Sequence, residues 1–242
     1  MSSNSNALLI AGTDTEVGKT VLTSALLAYW QRHCRHRRFG IFKPIQSGTG
    51  DRELYDRLFD SEQTPDEITP LYFQAPLAPP VAARREGRDI DLGLVWRQFR
   101  ALSQERDWVF MEALGGLGSP VTDELTVADL ARDWRLPTVL VVPVKLGAIA
   151  QAVANSALAR QENVSLVGIV LNCTQPRSPE EMGDLAPIDS IEQLSGLPVL
   201  GCLPHLADPT NLDALAIAAS NLDLERLGFG SVTATAAPIG KT

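Results

Sequence analysis

The chain is short of what a membrane or exported protein carries. Its longest apolar runs, such as residues 138–144, fall far below the roughly 20 residues that a membrane-spanning helix needs. The opening six residues, Met-Ser-Ser-Asn-Ser-Asn, are polar and lack the basic-then-apolar order of a secretory leader, so a cytoplasmic address and no membrane partner are expected. Cysteine is scarce. Cys34, Cys173 and Cys202 are odd in number and widely spaced, a pattern of reduced structural thiols and not of a disulfide framework. Positive charge is outnumbered, 21 Lys and Arg against 29 Asp and Glu, for a formal net charge of −8. That balance argues against a broad cationic surface, and no nucleic-acid partner is expected. Histidine is equally rare. His33 and His36 flank Cys34, but they sit among Arg32, Arg35, Arg37 and Arg38, whose charge repels a metal cation. The run reads as a solvated cationic helix end favoured by the helix dipole. No internal repeat and no nucleophilic catalytic constellation is evident.

What is present is an alternation of strand-like and helical segments. With 242 residues, 45% of them hydrophobic and 21% charged, the chain suits one large α/β domain. Apolar runs at 7–11, 39–43, 108–112, 138–144, 166–172 and 199–202 read as strands. Amphipathic stretches at 19–33, 52–59, 92–104, 126–134, 148–161, 188–195 and 212–222 read as helices. Strands that are apolar throughout are buried on both faces, so the prediction is a mostly parallel central sheet with helices on both faces. A single domain over 1–227 is expected, with a flexible tail at 228–242. The proline-rich stretch 69–80 reads as a long ordered loop.

The sharpest signal is Gly12-Thr13-Asp14-Thr15-Glu16-Val17-Gly18-Lys19-Thr20, directly after the first strand. Backbone N–H groups of such a loop, here from Glu16 through Gly18 and into the helix, converge on an anion, and the helix N-terminus adds partial positive charge. Lys19 reaches outer phosphates and the Thr20 hydroxyl ligates magnesium, which makes this a nucleoside triphosphate site. The loop holds five residues between its glycines where the strict pattern holds four.

Ligands of open parallel sheets bind outside the carboxyl ends of the strands, and three further polar features fall there. Lys43 ends the second strand and can neutralise an anionic substrate as a point charge. Glu112 ends the third, where a magnesium carboxylate is expected, and Asp51 is a second candidate carboxylate that equally suits a helix N-cap. Thr20, Asp51 and Glu112 together supply three hard oxygens. Asn172 and the segment Pro204-His205-Leu206 follow the last strands. Asn172 offers a donor and an acceptor to a purine edge, or simply makes a good turn.

These motifs, with Lys43-Pro44-Ile45-Gln46-Ser47-Gly48, Glu112-Ala113-Leu114-Gly115-Gly116, Val144-Lys145-Leu146-Gly147 and Gly201-Cys202-Leu203-Pro204, occur in an order that resembles dethiobiotin synthetase over nearly the whole chain. The resemblance implies a P-loop NTPase-like fold and an ATP-dependent cyclo-ligase of biotin biosynthesis. Such an enzyme takes 7,8-diaminononanoate, CO2 and ATP through a carbamate and a carbamic-phosphoric mixed anhydride to dethiobiotin. It implies that Lys19, Lys43 and Thr15 carry the catalysis, and that Glu16, Val17, Gly18, Lys19 and Thr20 hold the phosphates. By the same resemblance Thr15, Lys43 and Ser47 hold the diamine carbamate, Asn172, Pro204, His205 and Leu206 frame adenine, and Thr20, Asp51 and Glu112 bind Mg2+. It further implies a homodimer whose partner contributes the 146–151 loop to the diamine site. The chain departs from the family's usual residues at Ala113, Pro80 and Ala150-Gln151. The alternative is a partner-binding ATPase switch of the partition or division-site type, whose signature lysine stands five residues before the Gly-Lys-Thr lysine. Asp14 holds that position here. A cobyrinate-type amidating ligase needs an appended glutaminase domain, for which this length leaves no room.

Overall fold

Strand β1 (Ala7–Gly12) is buried along its whole length, and the fold is built outward from it. In the computed structural model, which describes residues 6–229, β1 runs into α1 (Lys19–His33), and β2 (Phe39–Phe42) returns. A peripheral segment follows, with β3 (Ile45–Ser47), α2 (Asp51–Leu58), α3 (Pro65–Ile68), β4 (Leu71–Phe73) and α4 (Pro79–Glu86). The chain then alternates through α5 (Leu92–Glu105), β5 (Trp108–Gly116), α6 (Val127–Asp133), β6 (Thr138–Pro143), α7 (Ala148–Gln161) and β7 (Leu166–Asn172). It ends with α8 (Pro179–Leu185), α9 (Ile188–Ser195), β8 (Val199–Leu203), α10 (Leu212–Ser220) and a closing turn, Glu225–Phe229.

Six strands form one parallel sheet in the order β2-β5-β1-β6-β7-β8. The chain crosses over β1 in passing from β5 to β6, so the carboxyl end of β1 lies at the point where the winding reverses. Such a crevice is where doubly wound sheets bind ligands. Alternate residues of β1 feed two different cores: Leu8 and Ile10 pack under α1 and α10, while Ala7, Leu9 and Ala11 face the side of α4, α5 and α6. A third cluster fills the space between β6, β7, α7 and α9. Burial on both faces explains why these strands carry so few polar residues.

Two sequence expectations are corrected. Residues 69–80 are not a continuous loop. Leu71 and Phe73 are buried in β4, which pairs with β3 in a separate parallel ribbon through Ile45–Leu71, Gln46–Tyr72 and Ser47–Phe73. Pro79 and Pro80 open α4, where a missing N–H costs nothing because first-turn donors have no intrahelical partner. Second, Phe229, assigned to the tail, belongs to the core. Phe229 is fully buried, with ring centroids 5.6 Å from Trp30, 5.8 Å from Phe110 and 6.3 Å from Trp108. The predicted tail beyond Phe229 lies outside the described residues.

The cationic run behaves as an ordinary helix end. Arg32 and His33 occupy the last turn of α1, and the N–H of Cys34 closes it on the Trp30 carbonyl. Cys173 and Cys202, distant in sequence, meet as free thiols 3.8 Å apart where β7 and β8 run side by side. Burial, together with Cys173, pushes the Cys202 thiol up to about 12.

Because Phe229 closes the aromatic cluster under α1, Phe229→Ala is expected to lower the unfolding free energy by about 3–5 kcal/mol. Denaturant titration followed by far-UV circular dichroism measures this directly.

Candidate active site

The phosphate loop is shaped by steric limits at both ends. A Cβ on Gly12 would fall 2.6 Å from the Val17 side chain and 2.8 Å from the Asp14 carbonyl. Gly18, the N-cap of α1, has φ 99°, and a Cβ there would lie 1.9 Å from Asn172 Nδ2. Within the loop the Asp14 side chain accepts from the Thr15 N–H at 2.7 Å, and its backbone carbonyl accepts from Lys19 Nζ at 3.1 Å. Asp14, Thr15 and Glu16 are exposed, while Val17 and Lys19 are buried. Burial draws the Lys19 amine below its ordinary value, against the raising influence of Glu112.

The loop is held from the far half of the sheet. Thr13 N–H donates to the Val141 carbonyl of β6 at 3.1 Å. The Thr13 hydroxyl donates to Gln151 of α7 at 3.1 Å. Asn172 Nδ2, at the end of β7, donates to the Val17 carbonyl at 2.9 Å. Asn172 is buried, so one of its two amide N–H donors already braces the loop. Pro204 and His205 are exposed just beyond β8, whose Leu203 pairs with Asn172.

On the near side, four elements converge on one buried cluster. Lys43 follows β2, where its N–H is anchored to the Ile68 carbonyl at 2.8 Å. Its ammonium donates to Glu112 Oε1 at 2.9 Å and also pairs with Asp51. The Thr20 hydroxyl lies 3.1 Å from Asp51 Oδ1 and 3.2 Å from Glu112 Oε1. Tyr55, fully buried on α2, donates its hydroxyl to Glu112 Oε2. Burial alone would push the Lys43 amine down, but Glu112 and Asp51 overcome it and raise its pKa, so Lys43 stays an ammonium ion at neutral pH. Glu112 sits within β5, level with Ile10 of β1, because β5 continues to Gly116 alongside Gly12. The strand therefore does not end at Glu112 as the sequence suggests. The glycines at 115 and 116 pass as strand because a Cβ on Gly116 would fall 2.9 Å from the Thr13 carbonyl, too close for a side chain.

The start of α2 fixes Asp51. Gln46 Oε1 accepts from the Arg52 N–H at 2.9 Å, and Gln46 Nε2 donates to Glu53 at 3.1 Å. Glu53 accepts from the Gly50 N–H at 2.9 Å. Burial would raise its carboxyl, yet Arg52 and these N–H donors hold it down at about 2.

Beside the cluster opens a cavity of about 480 Å3, lined by Thr15, Glu16, Lys43, Ser47 and Asp51 at its polar end and by apolar residues including Ile45, Leu77 and Leu114. The Ser47 hydroxyl is buried without a hydrogen-bond partner, an acceptor and donor open to a ligand. Leu146, in the turn between β6 and α7, is 88% exposed.

Among the described residues no group of three or more His, Cys, Asp or Glu side chains gathers. The set formed by Thr20, Asp51 and Glu112 is instead one hydroxyl and two carboxylates. All are hard oxygen ligands, and both carboxylates lie within hydrogen-bond reach of the Thr20 hydroxyl, so the residues fit magnesium, which also takes oxygens from phosphate and water.

Residues 6–212 match the AAA domain family. The chain is 58% identical over 221 residues to the ATP-dependent dethiobiotin synthetase BioD of Gloeothece citriformis, covering 91% of this chain and 98% of that one. The chain belongs to the dethiobiotin synthetase family. A second member, from Synechocystis, is 51% identical with 92% and 94% covered, and one from Bacillus subtilis is 31% identical with 90% and 95% covered. Among solved structures, the MinC:MinD cell division complex of Aquifex aeolicus matches with a TM-score of 0.56 at 14% identity, over 97% of this chain and 98% of that one. A ParA family ATPase from Chlorobium tepidum matches with 0.54 at 14%, over 93% and 97%. At that identity these two show likeness of fold alone.

Within this dethiobiotin synthetase family member, three contributors to the site escaped the sequence reading. Tyr55 stands four residues after Asp51 on one helix, a spacing that places both on one face. Gln46 was legible only as part of a motif, and Gln151 only as a departure from the family's usual residue. The brace that Asn172 applies carries no sequence signal, because its acceptor is a backbone carbonyl 155 positions away.

Gly18→Ala is expected to be costly twice over, through positive φ and through displacement of Asn172. The backbone strain alone costs about 1–3 kcal/mol. Denaturant unfolding should reveal at least that loss, and the wild-type value would count against the brace.

Proposed function

We propose that this family member is an ATP-dependent cyclo-ligase that carboxylates 7,8-diaminononanoate with CO2 and closes the ring to dethiobiotin. The observation that carries the reading is continuity. The phosphate loop, the Lys43 cluster and the cavity lined by Thr15 and Ser47 share side chains and form one site. Family membership supports the same substrates.

In this reading one amine of the diamine adds to CO2 and loses a proton, leaving a carbamate held by Thr15, Lys43 and Ser47. A carbamate oxygen then attacks the γ-phosphorus of ATP and ADP leaves, giving the mixed anhydride. The second amine attacks the carbamoyl carbon, expelling phosphate and forming the cyclic urea. Lys19 holds the outer phosphates over the backbone of Glu16, Val17 and Gly18. Thr20, Asp51 and Glu112 would hold Mg2+, which when bound offsets phosphate charge. Carbamate and γ-phosphate are both anions, and the fixed ammonium ions of Lys19 and Lys43 stabilise their approach before reaction begins. Adenine is framed by the free N–H and carbonyl of Asn172 and by Pro204, His205 and Leu206.

The apolar wall of the cavity suits the aliphatic chain of the diamine. The exposed Leu146 supports a homodimer in which the partner's 146–151 loop covers that cavity, since a lone protruding leucine is well matched to an apolar pocket across an interface. A cytoplasmic location and a single catalytic domain complete the proposal. They are supported by the one continuous sheet and by the absence, among the described residues, of a helix long and apolar enough to cross a membrane. The partner-binding switch gains nothing beyond the shared fold, because Asp14 stands at its signature lysine position.

Incubation with ATP, Mg2+, labelled bicarbonate and 7,8-diaminononanoate should transfer label into dethiobiotin. No label beside an active control rejects the proposal. Lys43→Ala should slow ring closure by about 100- to 1,000-fold while nucleotide binding survives. Equal loss of both would give Lys43 another role.

A further inference from the structure

Glu112 has two oxygens with different company. Oε1 receives Lys43 and lies beside Thr20, which in turn reaches Asp51. Oε2 is met by the hydroxyl of Tyr55. The carboxylate is buried inside β5, where an oxygen without a donor is costly. The last torsion of a glutamate side chain is broad, so packing alone does not fix the plane in which its two equivalent oxygens lie. A donor on one side does.

Tyr55 is well placed for that task. It is fully buried, its ring lies 6.5 Å from that of Phe59, and it rides on the same helix as Asp51. The first turn of α2 thus delivers Asp51 to one side of Thr20, and the second turn delivers the hydroxyl that orients Glu112 on the other. The two carboxylates come from distant parts of the chain, yet one short helix sets both.

We propose that Tyr55 is a positioning residue, whose hydroxyl holds one oxygen of the Glu112 carboxylate and so sets its plane, with the other oxygen turned toward Thr20 and Asp51 for the magnesium–nucleotide complex. The inference rests on the reading of Thr20, Asp51 and Glu112 as the magnesium set.

The test is the affinity of the full chain for a nonhydrolysable ATP analogue, titrated with Mg2+ and with EDTA. Tyr55→Phe keeps the ring and removes the hydroxyl. The Mg2+ enhancement of affinity should fall about tenfold, as expected for losing a hydrogen bond to a charged group, with the EDTA affinity within about twofold of wild type. An unchanged enhancement, or equal weakening in both conditions, overturns the proposal, the second because it marks a packing role. In a Glu112→Gln background the Tyr55→Phe change should have no further effect on the enhancement, and an additive loss overturns action through Glu112. A wild-type chain with no Mg2+ enhancement rejects the magnesium set itself and is distinguishable from both. If Tyr55→Phe does not fold, the native protein carries the test through infrared difference spectroscopy. With only three tyrosines in the chain, addition of Mg2+ to the nucleotide complex should shift a phenol C–O band, and a spectrum with no tyrosine band overturns the proposal.

Discussion

The architecture around the site depends on one buried ionic cluster. Lys43 lies between Asp51 and Glu112, with Thr20 touching both acids. Taking such charges out of water is expensive unless each finds partners of good geometry, and here the partners come from four places: the end of β2, the first turn of α2, the middle of β5 and the first turn of α1. The cluster therefore dictates where these elements meet. Lys19, where the phosphate loop ends, adds a second amine within the influence of Glu112 and Asp51, so two acids face two basic groups.

The main frame was legible because its signals are strong and local. Apolar runs too short for helices and bounded by amphipathic stretches gave the six strands of the sheet. The glycines around residues 12–20 located the loop, and α1 and α7 have the expected bounds. What was missed has a common physical cause. β3 and β4 are three residues each, stabilised by pairing with each other across more than twenty intervening residues, and two prolines beside β4 suggest loop. Phe229 follows a glycine in a small-residue context, and only the distant rings of Trp30, Trp108 and Phe110 reveal its place.

The chemistry of the site divides the same way. Lys19 and Thr20 stand out from the loop pattern and Lys43 from its strand-end position, while Asp51 and Glu112 stand out by residue type alone; the structure brings Thr20, Lys43, Asp51 and Glu112 together. Gln46, Tyr55 and Gln151 act by holding other groups, and a holding residue needs only one well-placed hydrogen bond, for which many residue types serve. Asn172 was read as a base contact or a turn former. Its amide also reaches the Val17 carbonyl, a use that depends on how closely β7 approaches the loop.

That approach bears on how the molecule comes together during folding. The phosphate loop is encoded in the first twenty residues, and its partner acids lie in the first half of the chain. Its braces at Val141, Gln151 and Asn172 come from β6, α7 and β7. A nascent chain that has completed β1, α1 and β5 thus holds the whole loop sequence but lacks the three contacts that brace it. A loop whose residues are local in sequence thus owes its shape to strands and a helix more than a hundred residues further along the chain.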